Sequence, residues 1–206
     1  MPSLPSAPSA QPEPSLPSAQ PTASAPAAPS RVELRPLTLA DQDEFCSLVR
    51  ASAALHTPWM QLPATGEAFR EWMHRFDDGT NLGFLIRVRE TGAAAGMVNI
   101  NSVIRGRYQG ASLGYAAFAP SAGRGYMAEG LALVLRYAFE DLRLHRLEAN
   151  IQPGNEPSLA LVRRLGFRHE GLSPAYLYID GAWRDHERWA LTAPSPWTPD
   201  PSLPEV

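Results

Sequence analysis

The sequence predicts one α+β (mixed α/β) domain built on a single central sheet with flanking helices. Three observations lead there. Alternating apolar and polar runs joined by tight turns fill the middle of the chain. Strand-to-helix crossovers follow them. Proline-rich tails bound both regions. Residues 1–30 are almost wholly Pro, Ser, Ala and Gln, with Glu13 as the sole charge. Such a segment buries too little apolar surface to offset its ordering entropy and is expected to be disordered. It has no basic start and no continuous apolar stretch, so it is not expected to act as a secretory signal. The tail 194–206 is proline-rich as well. The stretch 31–193 is then the domain, long enough to bury a full core.

The elements follow in order. Val32 to Leu37 alternates and reads as a first strand. Asp41 to Ser52 carries a helical apolar stripe, with Thr38 or Asp41 as its cap. Thr57 to Pro63 is a loop holding Trp59. Glu67 to Asp77 is a second helix, with Phe69, Trp72, Met73 and Phe76 on one face. Asn81 to Arg89 and Ala95 to Ile104 form a hairpin about Glu90-Thr91-Gly92. A turn at Arg105-Gly106-Arg107 leads into the strand ending at Phe118. An amphipathic helix runs from Gly130 to Leu142, and Arg146 to Ile151 is a short strand. A helix begins at Asn155-Glu156-Pro157-Ser158 and stops at Gly166. Phe167 to Gly171, Tyr176 to Ile179 and Trp183 to Leu191 read as three final strands, with Asp180-Gly181 as a tight hairpin turn.

Composition removes several function classes. A net charge of −3 gives no electrostatic footprint for nucleic acid. No apolar run is long enough to span a bilayer, so no membrane partner is expected. The single Cys46 cannot form an internal disulfide and fits a reducing cytoplasm. The five histidines show no metal-ligand spacing, and no metal is expected. Asp185-His186-Glu187 lies on an alternating strand and resembles a catalytic triad only in composition. There is no Gly-x-Ser-x-Gly elbow for nucleophilic catalysis.

The chemistry concentrates at Gly123-Arg124-Gly125-Tyr126-Met127-Ala128-Glu129, between a strand and a helix start. A glycine-rich loop there leaves main-chain N–H groups without intrahelical partners, at the positive end of a helix dipole. Phosphate oxygens suit that site, and glycine lets the backbone approach them closely.

Taken with Asn150-Ile151-Gln152-Pro153-Gly154-Asn155-Glu156-Pro157-Ser158, with Leu165-Gly166-Phe167-Arg168-His169-Glu170-Gly171 and with the segment Tyr178 to His186, this loop resembles the GNAT acetyl-CoA-dependent N-acetyltransferases. Asn101 to Gly106, Leu113-Gly114-Tyr115 and Leu144-His145-Arg146 bring it nearest the RimJ group of their RimJ/RimL branch. The resemblance implies a mostly antiparallel mixed sheet, splayed between two central parallel strands. It implies acetyl-CoA as cosubstrate, with Gly123, Arg124, Gly125, Tyr126 and Met127 around the pyrophosphate and Ala117, Phe118 and Ala119 along the pantetheine arm. Two positions depart from the family pattern. Ala122 stands where Gln or Arg is frequent, and Met127 where Ala or Gly is frequent.

Asn155 and Ser158 correspond to residues that hold coenzyme A, with Ser158 also placed to protonate the departing thiolate. The Tyr that does so in many family members is Val162 here. A thiol pKa of about 8.5 makes the thiolate a fair leaving group, so a hydroxyl suffices. The Glu proposed as base in RimL-type enzymes has no counterpart, since Leu172 to Ile179 contains no carboxylate. Glu148, Asn150, Tyr176 or a water is left to relay the proton, with Glu148 and Tyr176 read first as structural residues. An α-amine, of pKa about 7.7–8.0, needs less help than a lysine of about 10.4. Trp59 and Arg105 match positions that line the acceptor groove; a loop anchor and a solvated turn charge are the alternatives.

The expectation is a cytoplasmic N-acetyltransferase, a monomer or homodimer, acting on a protein N-terminus, alanine on a ribosomal protein foremost. A small-molecule amine such as an antibiotic or polyamine is the alternative acceptor. A coenzyme A-binding interaction protein without turnover, using the Pro-rich tail as its arm, is the alternative from another class.

Overall fold

The computed structural model describes residues 29–194. The two expected disordered tails therefore lie outside the described residues, except for Pro29, Ser30 and Pro194. The strands are β1 (Val32–Pro36), β2 (Leu82–Val88), β3 (Ala94–Ile104), β4 (Gly110–Ala117), β5 (Arg146–Ile151), β6 (Arg168–Ile179) and β7 (Ala182–Thr192). The α-helices are α1 (Gln42–Ala51), α2 (Ala53–His56), α3 (Gly66–Met73), α4 (Tyr126–Arg136) and α5 (Glu156–Arg164). The strands form one sheet in the order β1-β2-β3-β4-β5-β7-β6. Every neighbouring pair is antiparallel except β4 with β5, which is parallel.

Helices cover both faces of the sheet, and alternation along each strand divides the side chains between them. On one face Leu131, Val134, Leu159 and Val162 of α4 and α5 pack with Ile86, Val98, Leu113, Leu147 and Ala149. On the other, Phe45 and Val49 of α1 and Phe69 of α3 pack with Leu85, Met97, Ala116 and Phe118. Each of the large ones, fully buried, contributes about 1.5–3 kcal/mol relative to exposure. Phe118 is wholly buried beside Phe45, ring centroids 5.8 Å apart, which pins the end of β4. Helix α4 packs very close on β2: a Cβ on Gly130 would lie 2.3 Å from the Ile86 side chain.

Most predicted elements appear within a few residues of their predicted ends, the short α2 was not predicted, and three further features differ. Helix α4 starts at Tyr126, four positions before the apolar stripe, because its first turn faces a cleft rather than the core. Its last turn widens to a π-helical one over Tyr137–Asp141. The segments read as separate strands at Phe167–Gly171 and Tyr176–Ile179 are one strand, β6, interrupted by two register shifts. Gly171 (φ 136°) and Ala175 (φ 47°) adopt turn-like backbone there, and the Asp185 carboxylate accepts the Ala175 N–H at 2.8 Å. The bulges keep the ladder going where sequence alone shows a break. Among the described residues no helix is long and apolar enough to cross a membrane.

Candidate active site

The parallel pair β4 and β5 is joined only from Gly110↔Arg146 to Leu113↔Ala149. Beyond that point β4 continues to Ala117 and β5 to Ile151 without pairing, so the sheet opens between them. Phe118 N–H donates to the Ala95 carbonyl at 2.9 Å, on the β3 side. By strand alternation the Ala117 N–H points the other way, into the opening. The neighbouring carbonyl of Ala117 is occupied: His56 Nε2–H donates to it at 2.8 Å. Ser52, one turn earlier, accepts the Ala119 N–H at 2.9 Å and donates to the Leu48 carbonyl at 2.6 Å. Two buried polar side chains on the α1–α2 segment thus fix the backbone where β4 leaves the sheet. Neither was singled out in the sequence. Their partners lie 61 and 67 residues away, and no local pattern encodes such a contact.

The glycine loop follows directly. Gly123 (φ 75°) and Gly125 (φ 83°) take left-handed conformations that L side chains avoid. The first helical acceptor is the Gly125 carbonyl, which receives Ala128 and Glu129 N–H. Among the described residues, the N–H groups from Gly123 to Met127 have no protein acceptor. Five donors thus stand at the positive end of α4. From outside, Arg31 braces the loop. It donates to the Arg124 carbonyl at 3.0 Å and to the Glu129 carboxylate at 2.7 Å, and it stacks over the Tyr126 ring at 4.9 Å.

Loop and opening share one cleft of about 740 Å³. Of the residues expected from the sequence, Ala117, Gly123, Gly125, Tyr126, Met127, Asn150, Asn155, Ser158 and Trp59 line it together. Asn155 also caps α5, its side-chain oxygen accepting the Ser158 N–H at 3.4 Å. Trp59 is tied to the opposite wall, its carbonyl accepting from Gln152 Nε2 at 2.9 Å. The rest sit elsewhere. The Phe118 side chain is core. Ala119 has its N–H engaged by Ser52. Arg124 is exposed and contributes its carbonyl to Arg31. Arg105 is not among the lining residues and donates to the Leu142 carbonyl. Tyr176 lies behind the cleft wall, its ring 5.8 Å from that of His186.

Electrostatics separate structural carboxylates from the site. Glu148 is buried and accepts from Tyr108 Oη at 2.9 Å, Arg146 at 2.8 Å and Arg188 at 3.1 Å. Burial opposes its ionisation, but these hydrogen bonds outweigh it and hold the carboxyl below its ordinary range. It is the anchor of an ion-pair network with Arg146 and Arg188. Tyr115 lines the cleft on the α5 face and donates to the Ser158 carbonyl at 3.4 Å. Burial pushes its phenol up to about 12, so it stays neutral. Among the described residues the cleft lining holds no Asp or Glu; its basic side chains are Arg164, His56 and His186.

His186 is the residue in this cleft that the sequence argument set aside. It is 2% exposed yet borders the cavity. The signal that places it there is its register: β7 pairs with β5 through Asn150↔Arg188 and Ile151↔Glu187. His186 therefore emerges on the same side of the sheet as Arg188 and Asn150.

Comparison with known proteins supplies the family. The family model of the acetyltransferase (GNAT) domain matches residues 31–168. Over 104 residues the chain is 43% identical to the ribosomal protein uS5-alanine N-acetyltransferase of Escherichia coli (strain K12), a match covering 50% of this chain and only 53% of that protein's length. It is 30% identical over 171 residues to the probable N-acetyltransferase YjcK of Bacillus subtilis (strain 168), covering 79% of this chain and 94% of that protein. The structure of Mycobacterium smegmatis RimJ in complex with CoA-disulfide superposes with a TM-score of 0.72 at 31% identity, covering 79% of this chain and 82% of that one. With β4 splayed from β5, a glycine loop leading from β4 into α4, and the family model and a relative matching most of the domain, this chain belongs to the acetyltransferase (GNAT) family.

Proposed function

We propose that the chain is an acetyl-CoA-dependent N-acetyltransferase that acylates the N-terminal amine of a protein, alanine on a ribosomal protein foremost. The observation that carries the acetyl-CoA part of this reading is the interrupted β4–β5 ladder beside N–H groups that lack a protein acceptor among the described residues, and the similarity to the uS5-alanine N-acetyltransferase supports the alanine acceptor. The N–H groups of Gly123 to Met127 would take the pyrophosphate, with no side-chain cation required. Asn155 would hold the pantetheine from the α5 side. The Ala117 N–H faces the opening and would polarise the thioester carbonyl, a role worth several kcal/mol when the donor is preorganised. The His56 and Ser52 hydrogen bonds supply that preorganisation. Ser158 would return a proton to the thiolate. Direct attack needs no covalent enzyme intermediate; positioning and carbonyl polarisation carry the rate.

The cleft walls bear on the acceptor. A polyamine or aminoglycoside carries several positive charges and is held by carboxylates; the described lining offers none. An α-amine with a pKa of about 7.7–8.0 is already roughly a tenth neutral near pH 7 and needs no acidic pocket.

The test is thiol release from acetyl-CoA with peptides beginning Ala, Ser, Thr or Met, beside a lysine peptide, spermidine and an aminoglycoside. Turnover on the Ala peptide above the others is expected. Turnover confined to spermidine or the aminoglycoside would remove the N-terminal assignment. Absence of calorimetric heat and of thermal protection by acetyl-CoA on the folded chain would remove the acetyltransferase reading itself.

A further inference from the structure

We infer that His186 is the proton acceptor for the incoming amine, taking the place of the carboxylate that Leu172 to Ile179 lacks. The proposal rests on the acetyltransferase reading above and deepens it. Its first support is placement. Strand alternation puts Leu113, Tyr115, Ala149 and Ile151 on the face covered by α4 and α5, the face of Ser158. Asn150, Arg188 and His186 occupy the opposite face, with Trp59 and Met60 lining the same cleft from the α2–α3 loop. The opening between β4 and β5 joins the two faces. A thioester held at the opening has Ser158 on one side and the His186 ring on the other. An amine entering over the α1–α3 face passes His186 before it reaches the carbonyl carbon.

The second support is the ring's hydrogen bonding. Nδ1 lies 3.0 Å from the Arg184 carbonyl. A carbonyl only accepts, so Nδ1 carries the proton and the lone pair of the neutral ring is on Nε2. Nε2 is the ring nitrogen farther from the strand. Burial favours the neutral ring, outweighing the Arg184 carbonyl and the Asp185 charge, and lowers the imidazole pKa from its ordinary value. A base that is neutral at pH 7 is in the form that the step needs. The groups around it are few. Tyr176 of β6 faces the ring at 5.8 Å. Arg188 of β7 lies over the Tyr176 ring at 5.9 Å and is held by Glu148 of β5. Asp185 is turned to the Ala175 N–H.

The step balances as follows. The acceptor arrives as an ammonium ion and gives one proton to Nε2. Its freed lone pair forms the C–N bond at the thioester carbon. The C–S bond breaks with its electron pair on sulfur, which takes the second nitrogen proton by way of the Ser158 hydroxyl. The imidazolium returns its proton to solvent, giving the amide, the free thiol and one released proton.

The experiment compares His186→Gln with the unaltered full chain, on whichever acceptor of the panel is turned over. At pH 7 kcat should fall by about tenfold, because roughly a tenth of the α-amine is already neutral there without the base. The deficit should shrink as pH rises through the amine pKa, where the acceptor is neutral without help. Calorimetric affinity for coenzyme A and the melting temperature should hold. A deficit equal at pH 7 and pH 9.5, or none, overturns the proposal. Nitrogen-15 NMR of the imidazole in the unaltered chain decides independently of turnover: a neutral ring protonated at Nδ1 is expected at pH 7, and a ring charged or protonated at Nε2 overturns it. Failure of the acetyltransferase reading is seen separately, as an unaltered chain that neither binds acetyl-CoA nor releases thiol.

Discussion

At the scale of single residues, each polar group near the cleft is either engaged by the protein or left for ligand. The carbonyl of Ala117 is taken by His56, and the Ala119 N–H by Ser52, while the Ala117 N–H between them is turned to the opening. Ser158 divides in the same way. Its N–H caps into Asn155 and its carbonyl accepts from Tyr115, while the hydroxyl is on a residue that borders the cavity. Replacing Ser158 with alanine should therefore leave α5 intact and act on chemistry. On the proposed mechanism kcat falls by about 10–100-fold, at the low end for general acids because a thiolate leaves readily. Coenzyme A affinity should change less than about threefold, read by calorimetry. Unchanged kcat would make Ser158 a structural residue. Asn155 was legible from its cap position alone, because capping is local. His186 and His56 were not, because their importance arises from strand register and from a contact between distant segments.

Among elements, local signals travelled well and long-range ones did not. The Asp180-Gly181 turn, with φ of 51° and 74°, and the strand Arg146–Ile151 were readable because turn chemistry and alternation decide them. The continuity of β6 was hidden, since Gly171 and Pro174 look like breakers unless the pairing to β7 is known. Helix α4 shows the opposite conflict. Its Gly130 is a poor helix former in mid-helix, and alanine there would ordinarily gain about 1 kcal/mol. The Ile86 side chain, fully buried and β-branched, occupies the space of that Cβ at 2.3 Å. Overpacking costs about 1–3 kcal/mol and should win. Net of the helix gain, Gly130→Ala is expected to lower the melting temperature by up to about 8 °C, taking 2–4 °C per kcal/mol for a domain of this size. A rise in melting temperature would show that α4 can lift off β2 freely.

For the whole molecule, the clearest pH dependence comes from the ion-pair network at the β5–β6 end of the sheet. Arg146 donates to both Glu148 and Glu170. The Arg146 hydrogen bond, with help from Arg168, holds the Glu170 carboxyl down to about 2, against an ordinary 4.5. A depressed carboxylate stabilises the fold above its unfolded pKa, and that contribution is lost as pH falls from about 4.5 towards 2. Glu170→Gln should melt about 1–4 °C below the unaltered chain at pH 7, a modest loss because the pair is partly solvated. The two should converge near pH 2. A gap that persists there would assign the loss to packing rather than charge. The hairpins and crossovers were legible because turn residues and apolar periodicity are local signals. The break in the ladder past Leu113 and Ala149 was expected only through the family resemblance, because no local pattern encodes a loss of pairing. That break has a consequence of its own. A sheet with a hole through it has two doors, one on each side, and under the proposed reading each reactant owns one. Neither has to vacate for the other, so both can be aboard at once, and the acyl group crosses the sheet without ever being parked on the protein.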